Sequence, residues 1–364
     1  MIGAFRNTRL TTRYADDTAL FRSWPARFGL TAMVVAYMAA PFVLNGYWAT
    51  IFIFAGIASI GALGLNLLTG YTGQVSLGHA FFYGVGAYGA AIFGDRWGWP
   101  FPLWLFAAAA LGGVLGGLAG PFALRLRGNY LVIVSLGLLV IGQHLFENWT
   151  AVTGGLTGTS VRAPVALGAV DFAGLRLFGG SLSRNQGFLY LVWGAVAILA
   201  LAARNIVRTR PGRALQAVRD KDIAAEVIGV SLVQYKVGAF VVSSGYAACA
   251  GAIYASYARF VSPLDFSLFL SIQFIAMIVV GGIGTIKGAI LGALFLTLLP
   301  RIIEAVSGSL PFVSSGTGGG ITVQSLNQAM FGVLIVGFLL FEPLGLAEIW
   351  RRIVRYFKAW PFSY

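Results

Sequence analysis

The sequence predicts an all-α, polytopic helical membrane protein. Of its 364 residues, 58% are hydrophobic and only 10% are charged, whereas a soluble domain carries roughly 25% charged residues. The apolar residues come in runs of about 17–25, the length of helix that crosses a ~30 Å hydrocarbon core. An outer-membrane barrel would instead show alternating segments of about 10 residues.

Residues 1–27 are predicted to form a cytoplasmic tail. They are polar and contain five arginines but no apolar core, which a cleaved signal peptide requires within its first ~15–30 residues. We therefore expect the first apolar run to be a retained membrane anchor. The single cysteine, Cys249, lies in a later apolar run and cannot form an intrachain disulfide.

The apolar runs predict about ten transmembrane helices. Residues 28–203 hold helices one to six, residues 237–342 hold helices seven to ten, and residues 343–364 form a basic and aromatic C-terminal tail. The polar stretch 204–236 separates the two groups. The predicted spans are 28–44, 47–68, 75–94, 101–124, 129–146, 187–203, 237–257, 268–282, 286–305 and 326–342.

The basic residues predict that both termini are cytoplasmic. With the N-terminus inside, 19 of the 25 Lys and Arg residues lie inside and six lie outside, in agreement with the positive-inside rule. The net charge of +13 would also suit a nucleic-acid-binding protein, but in a membrane protein it marks cytoplasmic loops. If one of the ten predicted spans is a re-entrant segment that does not cross the membrane, 75–94 is the best candidate.

Two glycine stripes predict close helix packing. Small residues four apart let helix backbones approach each other in lipid, where hydrophobicity gives no drive for association. A packing role without a transport role is the simpler interpretation of each glycine. The stripes are Gly112, Gly116 and Gly120, and Gly284, Gly288 and Gly292.

The most unusual stretch within the apolar region is 69–80, which contains three glycines and a run of hydrogen-bonding side chains. Non-helical backbone at membrane depth survives only where it is buried in protein or lines a wet cavity. Gln74, Ser76 and His79 are therefore candidates for a polar translocation pathway. The alternative is that this stretch is the cytoplasmic turn between spans two and three.

Several kinds of chemistry have no support in the sequence. The predicted spans have essentially no charged residue near their centres, where ion-driven pumps place their relays. The sequence shows no metal-ligand spacing, no nucleophile elbow and no phosphate-binding loop. We therefore expect no enzymatic activity and no metal, and energy for uphill transport must come from another polypeptide.

The polar stretch 204–236 is predicted to contain a short helix. Pro211 stands where a helix can begin and Gly229 where one can end. Between them, Asp222 can cap or charge the first helical turn.

This short helix would present an acidic face beside an apolar edge. Asp222 and Glu226 are four residues apart and share one face, with Ile223 and Val227 next to them. Such a helix suits insertion into a groove of a soluble partner. The alternative is a solvated loop whose charges only set the topology.

Several separated motifs carry a family resemblance that covers roughly residues 45–350. Residues 73–80 read Gly-Gln-Val-Ser-Leu-Gly-His-Ala, and residues 153–158 read Thr-Gly-Gly-Leu-Thr-Gly. Together with the further motifs, they resemble the LivM-type subunits of branched-chain amino acid ABC importer permeases. The further motifs are 81–88, 126–134, 212–229, 261–263 and 281–285.

The resemblance implies the ABC importer permease fold in a bacterial inner membrane. It also implies a second, homologous permease subunit, two cytoplasmic ATP-binding subunits and a periplasmic solute-binding protein. ATP would bind to those partner subunits, and this chain would hold no cofactor.

The resemblance further implies that 204–236 is the loop that couples to an ATPase. Residues 224–229 approximate the Glu-Ala-Ala-x-x-x-Gly coupling motif of ABC importers, but here the glutamate follows the two alanines. The Ile-x-Leu-Pro that normally follows is absent. The candidate coupling residues are Arg213, Asp220, Asp222, Ala224, Ala225, Glu226 and Gly229.

The expected function is ATP-driven import of branched-chain amino acids, the substrate crossing a cavity shared with the second permease. One alternative is a permease of the same superfamily for urea, amides or other amino acids. Another is a stand-alone channel or facilitator, which the uncharged spans would equally permit. A polytopic membrane enzyme is less favoured, because no acid, base or metal cluster appears.

Overall fold

The computed structural model describes residues 24–124, 130–168, 170–172, 174, 176–177, 180–307, 323–342 and 344–359. Most of the predicted N-terminal tail and the start of the 126–134 motif lie outside these ranges. Within them the chain is almost entirely helical. The α-helices are α1 (Trp24–Val43), α2 (Gly46–Leu65), α3 (His79–Gly89), α4 (Phe101–Leu124), α5 (Tyr130–Asn148), α6 (Thr150–Thr153), α7 (Arg184–Arg208), α8 (Arg210–Asp220), α9 (Asp222–Val227), α10 (Leu232–Ala258), α11 (Leu268–Gly281), α12 (Ile286–Ser307), α13 (Val323–Phe341) and α14 (Leu346–Ala359).

Two of these helices continue as π-helix. Asn66–Gly70 extends α2 and Ala90–Arg96 extends α3. Short 3₁₀ turns occur at Gly155–Thr157 and Pro263–Phe266. The all-α prediction is confirmed apart from two-residue strands: β1 (Thr159–Ser160), β2 (Ala166–Leu167), β3 (Val170–Asp171), β4 (Arg176–Leu177), β5 (Gly180–Ser181) and β6 (Phe260–Val261).

Helix α2 forms the centre of the bundle and is mostly buried by other helices. It packs against α7, α10 and α12, while α10 also packs along α3 and α4. The core between them is filled by large apolar side chains such as Ile57, Trp104 and Phe274. A helix that is apolar all round and buried within the protein is expected at such a central position.

Helices α3 and α10 approach each other backbone to backbone through two glycines. A Cβ on Gly251 would lie 1.8 Å from the carbonyl oxygen of Tyr83, and one on Gly86 would lie 1.8 Å from that of Ala248. Neither position has room for a side chain. The predicted stripe on α4 serves the same purpose, because a Cβ on Gly112 would lie 2.3 Å from the Ala248 side chain.

Each of the ten predicted spans overlaps a helix, but the structure does not confirm ten crossings. Six helices in the described part of the chain are long and apolar enough to cross a membrane, or seven if a bent pair counts as one. The ten-span count therefore stays a prediction. The six are Gly46–Gly70, Phe101–Pro121, Leu131–Asn148, Arg184–Arg208, Leu232–Ala258 and Ile286–Glu304, and the bent pair is Gln328–Phe341 with Leu346–Tyr356.

The connections predicted for opposite sides of the membrane gather at opposite ends of the bundle. At one end, β1 pairs with β6, which joins the long 147–186 loop to the connection after α10. At the other end, the Arg219 guanidinium of the polar stretch bonds to Gly70 at the end of α2. The placement of these two groups of connections on opposite sides of the membrane, and which side is cytoplasmic, stays a prediction.

Candidate functional site

The unusual stretch 69–80 is a break between two helices. Helix α2 and its π-helical extension end at residue 72, residues 73–78 are non-helical, and α3 begins at His79. The predicted span 75–94 therefore begins four residues too early. We call residues 73–78 the broken segment.

The broken segment runs back along α2 toward the middle of the bundle. The His79 imidazole Nε2 lies 2.9 Å from the carbonyl oxygen of Gly61. Gly61 lies within α2, well before Gly70 at the end of the π-helical extension. Gly70 comes nine positions after Gly61 along the helix, a rise of about 13 Å at the α-helical value of 1.5 Å per residue. Helix α3 thus starts well inside the bundle, and the broken segment is more than a turn at its end.

Side chains of other helices satisfy the backbone at the end of the broken segment. The Leu77 amide donates to the Ser135 hydroxyl at 2.9 Å, and the Ala80 amide donates to the Ser271 hydroxyl at 3.0 Å. A buried peptide group without a partner would cost free energy comparable to a lost hydrogen bond. These two serines therefore stabilise an irregular backbone that would be too costly in bare lipid.

The three predicted pathway residues all lie in or beside this segment, and all three are buried. His79 packs edge-on against Phe274, with ring centroids 5.0 Å apart, and the Ser76 hydroxyl accepts from the Gly78 amide at 3.3 Å. His79 and Ser76 thus have structural partners within the chain. A contact of Gln74, Ser76 or His79 with a solute stays a prediction.

The predicted short helix is present as α9, and Gly229 ends it. Gly229 has a positive φ of 88°. Its amide donates to Glu226 and the following Val230 amide donates to Ala225, both at 2.9 Å. This pair of bonds is the Schellman arrangement, which satisfies the last carbonyls of a helix and favours glycine at that position.

Helix α9 presents an unusually exposed apolar ridge. Ile223 is 75% exposed, Val227 82% and Ile228 75%. Glu226 is exposed beside them, whereas Ala225 is buried and faces the rest of the protein. Of the other predicted coupling residues, Arg213, Asp220, Asp222 and Ala224 are also exposed.

Helices α8 and α9 are held against the bundle at several points. Leu215 and Val218 of α8 are buried, and the Lys236 ammonium on α10 lies 3.7 Å from the Asp222 carboxylate. Exposed ion pairs of this kind contribute little, about 0–1 kcal/mol. The apolar contacts of α8 are therefore the main anchor.

Arg219 connects α8 to the end of α2. Its guanidinium Nη1 donates to the carbonyl oxygen of Gly70 at 2.5 Å. The neighbouring Tyr71 has a raised pKa because burial disfavours the phenolate, and the Arg219 charge partly opposes that rise. Arg219 is not among the coupling residues predicted from the sequence, although it follows the buried Val218 on an amphipathic helix.

The same end of α2 also contacts the turn between α11 and α12. The Asn66 side chain accepts from the Gly284 amide at 2.8 Å and donates to the Thr285 carbonyl at 3.0 Å. Asn66, Gly70, Arg219, Gly284 and Thr285 together form what we call the inner junction. It joins three stretches that are far apart in the sequence.

Within the described ranges, no group of three His, Cys, Asp or Glu residues is arranged to hold a metal ion. The arrangement consists instead of a helical bundle, a buried break between α2 and α3, and an exposed short helix next to α8, which bonds to Gly70 just before that break.

Comparison with known proteins identifies relatives. The family described as "Branched-chain amino acid transport system / permease component" matches residues 47–339. The high-affinity branched-chain amino acid transport system permease protein LivM of Escherichia coli K12 is 31% identical over 335 residues, covering 88% of this chain and 75% of LivM. LivM of Salmonella typhimurium matches over the same shares of both chains.

A second group of relatives shares less of the chain. The autoinducer 2 import system permease protein LsrC of Enterobacter sp. strain 638 is 31% identical over 216 residues, 57% of each chain. No solved structure matches the sequence significantly.

Proposed function

The chain belongs to the family of branched-chain amino acid transport system permease components, and on this premise we propose that it is a transmembrane subunit of an ATP-driven importer. It is a transport component and not an enzyme. In this proposal it lies in a bacterial inner membrane beside a second permease, and a solute-binding protein delivers substrate from the periplasm. Two ATP-binding subunits then act on the 204–236 loop.

The observation that carries this proposal is the exposed apolar ridge of α9. Three apolar side chains that are each about three-quarters exposed are unfavourable in water and suit a protein groove. The ridge lies on a helix closed by a glycine cap and linked through α8 to the bundle. These features support a docking helix for an ATPase subunit rather than a solvated loop.

Val227→Asp tests the ridge. We expect the variant to insert into membranes at the wild-type level, because Val227 is 82% exposed and its side chain makes little contact within the chain. We expect at least tenfold less ATPase subunit to co-purify, since burying an unpaired carboxylate in an interface costs several kcal/mol.

Leu344→Asp is the matched control for Val227→Asp. Leu344 is also apolar and mostly exposed, and its backbone lies at the same end of the bundle beside Gly282. It should retain the ATPase subunit. Equal capture by both variants would contradict the docking assignment.

The proposed substrates are branched-chain amino acids. The LivM relatives match 88% of this chain, whereas the LsrC relatives match at most 57%. In this proposal, backbone dipoles and neutral polar side chains, such as those of the broken segment, interact with the charged amino and carboxylate groups of the amino acid.

Competition experiments distinguish this substrate class from the nearest alternative. Uptake of labelled leucine into proteoliposomes that hold the complete complex should be reduced by excess isoleucine or valine but not by urea. Competition by urea and not by valine would point to the urea and amide class. Uptake without ATP would instead indicate a facilitator.

A further inference from the structure

We propose that Arg219 is the positioning residue that passes movement of the docking helix to the broken segment. This inference rests on the proposed function, since it takes α9 as the place where an ATPase subunit pushes. Arg219 lies in the last turn of α8, three residues before α9 begins. A displacement of α9 therefore reaches Arg219 through a single short connection.

The contact that Arg219 makes is suited to this role. Gly70 is the last residue of the π-helix, and its carbonyl is one of the final acceptors of that helix. The end of a helix carries partial negative charge, which attracts a cation. A hydrogen bond from a charged donor is roughly twice as strong as a neutral one, so the guanidinium is bonded to the point where the regular helix ends.

Two glycines with left-handed backbone flank the Arg219 side chain. A Cβ on Gly284 would lie 2.8 Å from its Nη1, and one on Gly73 would lie 3.5 Å from its Cγ. Both glycines have φ above +70°, a conformation that disfavours other residues. The stem of the exposed Arg219 side chain thus lies beside the start of the broken segment, and its guanidinium lies beside the turn before α12.

The broken segment is the part of this assembly that can yield. Residues 73–78 are non-helical apart from the bond of the Gly73 amide to the Thr69 carbonyl, whereas the helical residues on either side are buried. A pull on the Gly70 carbonyl is therefore taken up between residues 72 and 79. Those residues include Gln74 and Ser76, so movement of α8 changes the position of the polar side chains within the bundle.

The test compares Arg219→Gln with Arg162→Gln in the complete complex, reconstituted in proteoliposomes. Arg162 is an exposed cation in the 147–186 loop, outside the 204–236 loop, and matches the loss of one positive charge. The measured quantity is leucine transported per ATP hydrolysed. Coupling free energies correspond to effects of about 5–150-fold, so we expect Arg219→Gln to lower this ratio roughly tenfold while the ATPase rate persists. Arg162→Gln should keep the wild-type ratio.

A second pair of variants displaces the guanidinium without removing it. Gly284→Ala would place a methyl group 2.8 Å from the Arg219 Nη1, whereas Gly98→Ala introduces the same left-handed backbone strain with no atom within 4 Å. We expect only Gly284→Ala to lower the transport ratio.

The outcomes separate this inference from the proposed function. A wild-type ratio in Arg219→Gln overturns the role of Arg219, and so does failure of that variant to assemble, which would make Arg219 a folding residue. Either result leaves ATP-driven import intact. Uptake by the wild-type complex without ATP would contradict the proposed function itself, independently of the results with the variants.

Discussion

Glu226→Lys is expected to abolish uptake while leaving membrane insertion unchanged. Glu226 is exposed on α9 beside Val227, so its replacement removes no described contact from the bundle. In the docked complex, however, a reversed charge next to a buried apolar ridge would be both desolvated and unpaired, at a cost of several kcal/mol. Labelled-leucine uptake by vesicles and the amount of inserted chain, measured together, check this expectation.

Two further variants sharpen the experiment on Glu226. Glu226→Gln keeps the size but removes the charge and should give intermediate uptake. Glu304→Lys reverses a charge near the end of α12, where the carboxylate forms an exposed ion pair with Arg301, worth about 0–1 kcal/mol. Normal uptake by Glu226→Lys would exclude this residue from the coupling interface.

Gly251→Ala is expected to be among the most damaging single substitutions for the fold. The added methyl carbon would lie 1.8 Å from the Tyr83 carbonyl oxygen, a position that only a shift of α3 relative to α10 can relieve. Overpacking typically costs about 1–3 kcal/mol and occasionally more. With a backbone atom as the obstacle, we expect at least ~3 kcal/mol, seen as a lower melting temperature in detergent or as loss of the inserted protein.

Gly238→Ala on the same helix is the matched control. No atom lies within 4 Å of a Cβ at Gly238, and alanine favours a helix over glycine by about 1 kcal/mol. This variant should be as stable as the wild type or slightly more so. Similar destabilisation by both variants would show that α10 tolerates no alanine for reasons other than the contact with α3.

Composition and the length of the apolar runs predicted the helical membrane fold correctly, because both are properties of local sequence. The end of α9 was also predicted correctly from the sequence, because Gly229 adopts the left-handed conformation that a helix cap favours. The glycine stripe on α4 was also predicted, and the structure shows Gly112 packed against Ala248. In each case the determining interaction lies within a few residues or depends on the absence of a side chain.

The inner junction could not be predicted in the same way. Asn66 and Gly284 are 218 residues apart, and Arg219 and Gly70 are 149 apart. No periodic pattern links such positions, and an arginine in a polar loop looks the same whether it faces water or a helix end. The break before α3 was located, but its course back along α2 depends on His79 meeting Gly61, a contact that requires the folded bundle.

The hydrogen bonds around the broken segment also constrain the order of folding. The Ala80 amide donates a hydrogen bond to the hydroxyl of Ser271, a residue that the ribosome adds 191 residues later. At about 5–20 residues per second, that interval is on the order of 10–40 s. The segment cannot reach its final bonded state during this time, so the centre of the permease closes only after α11 has been synthesised and has inserted.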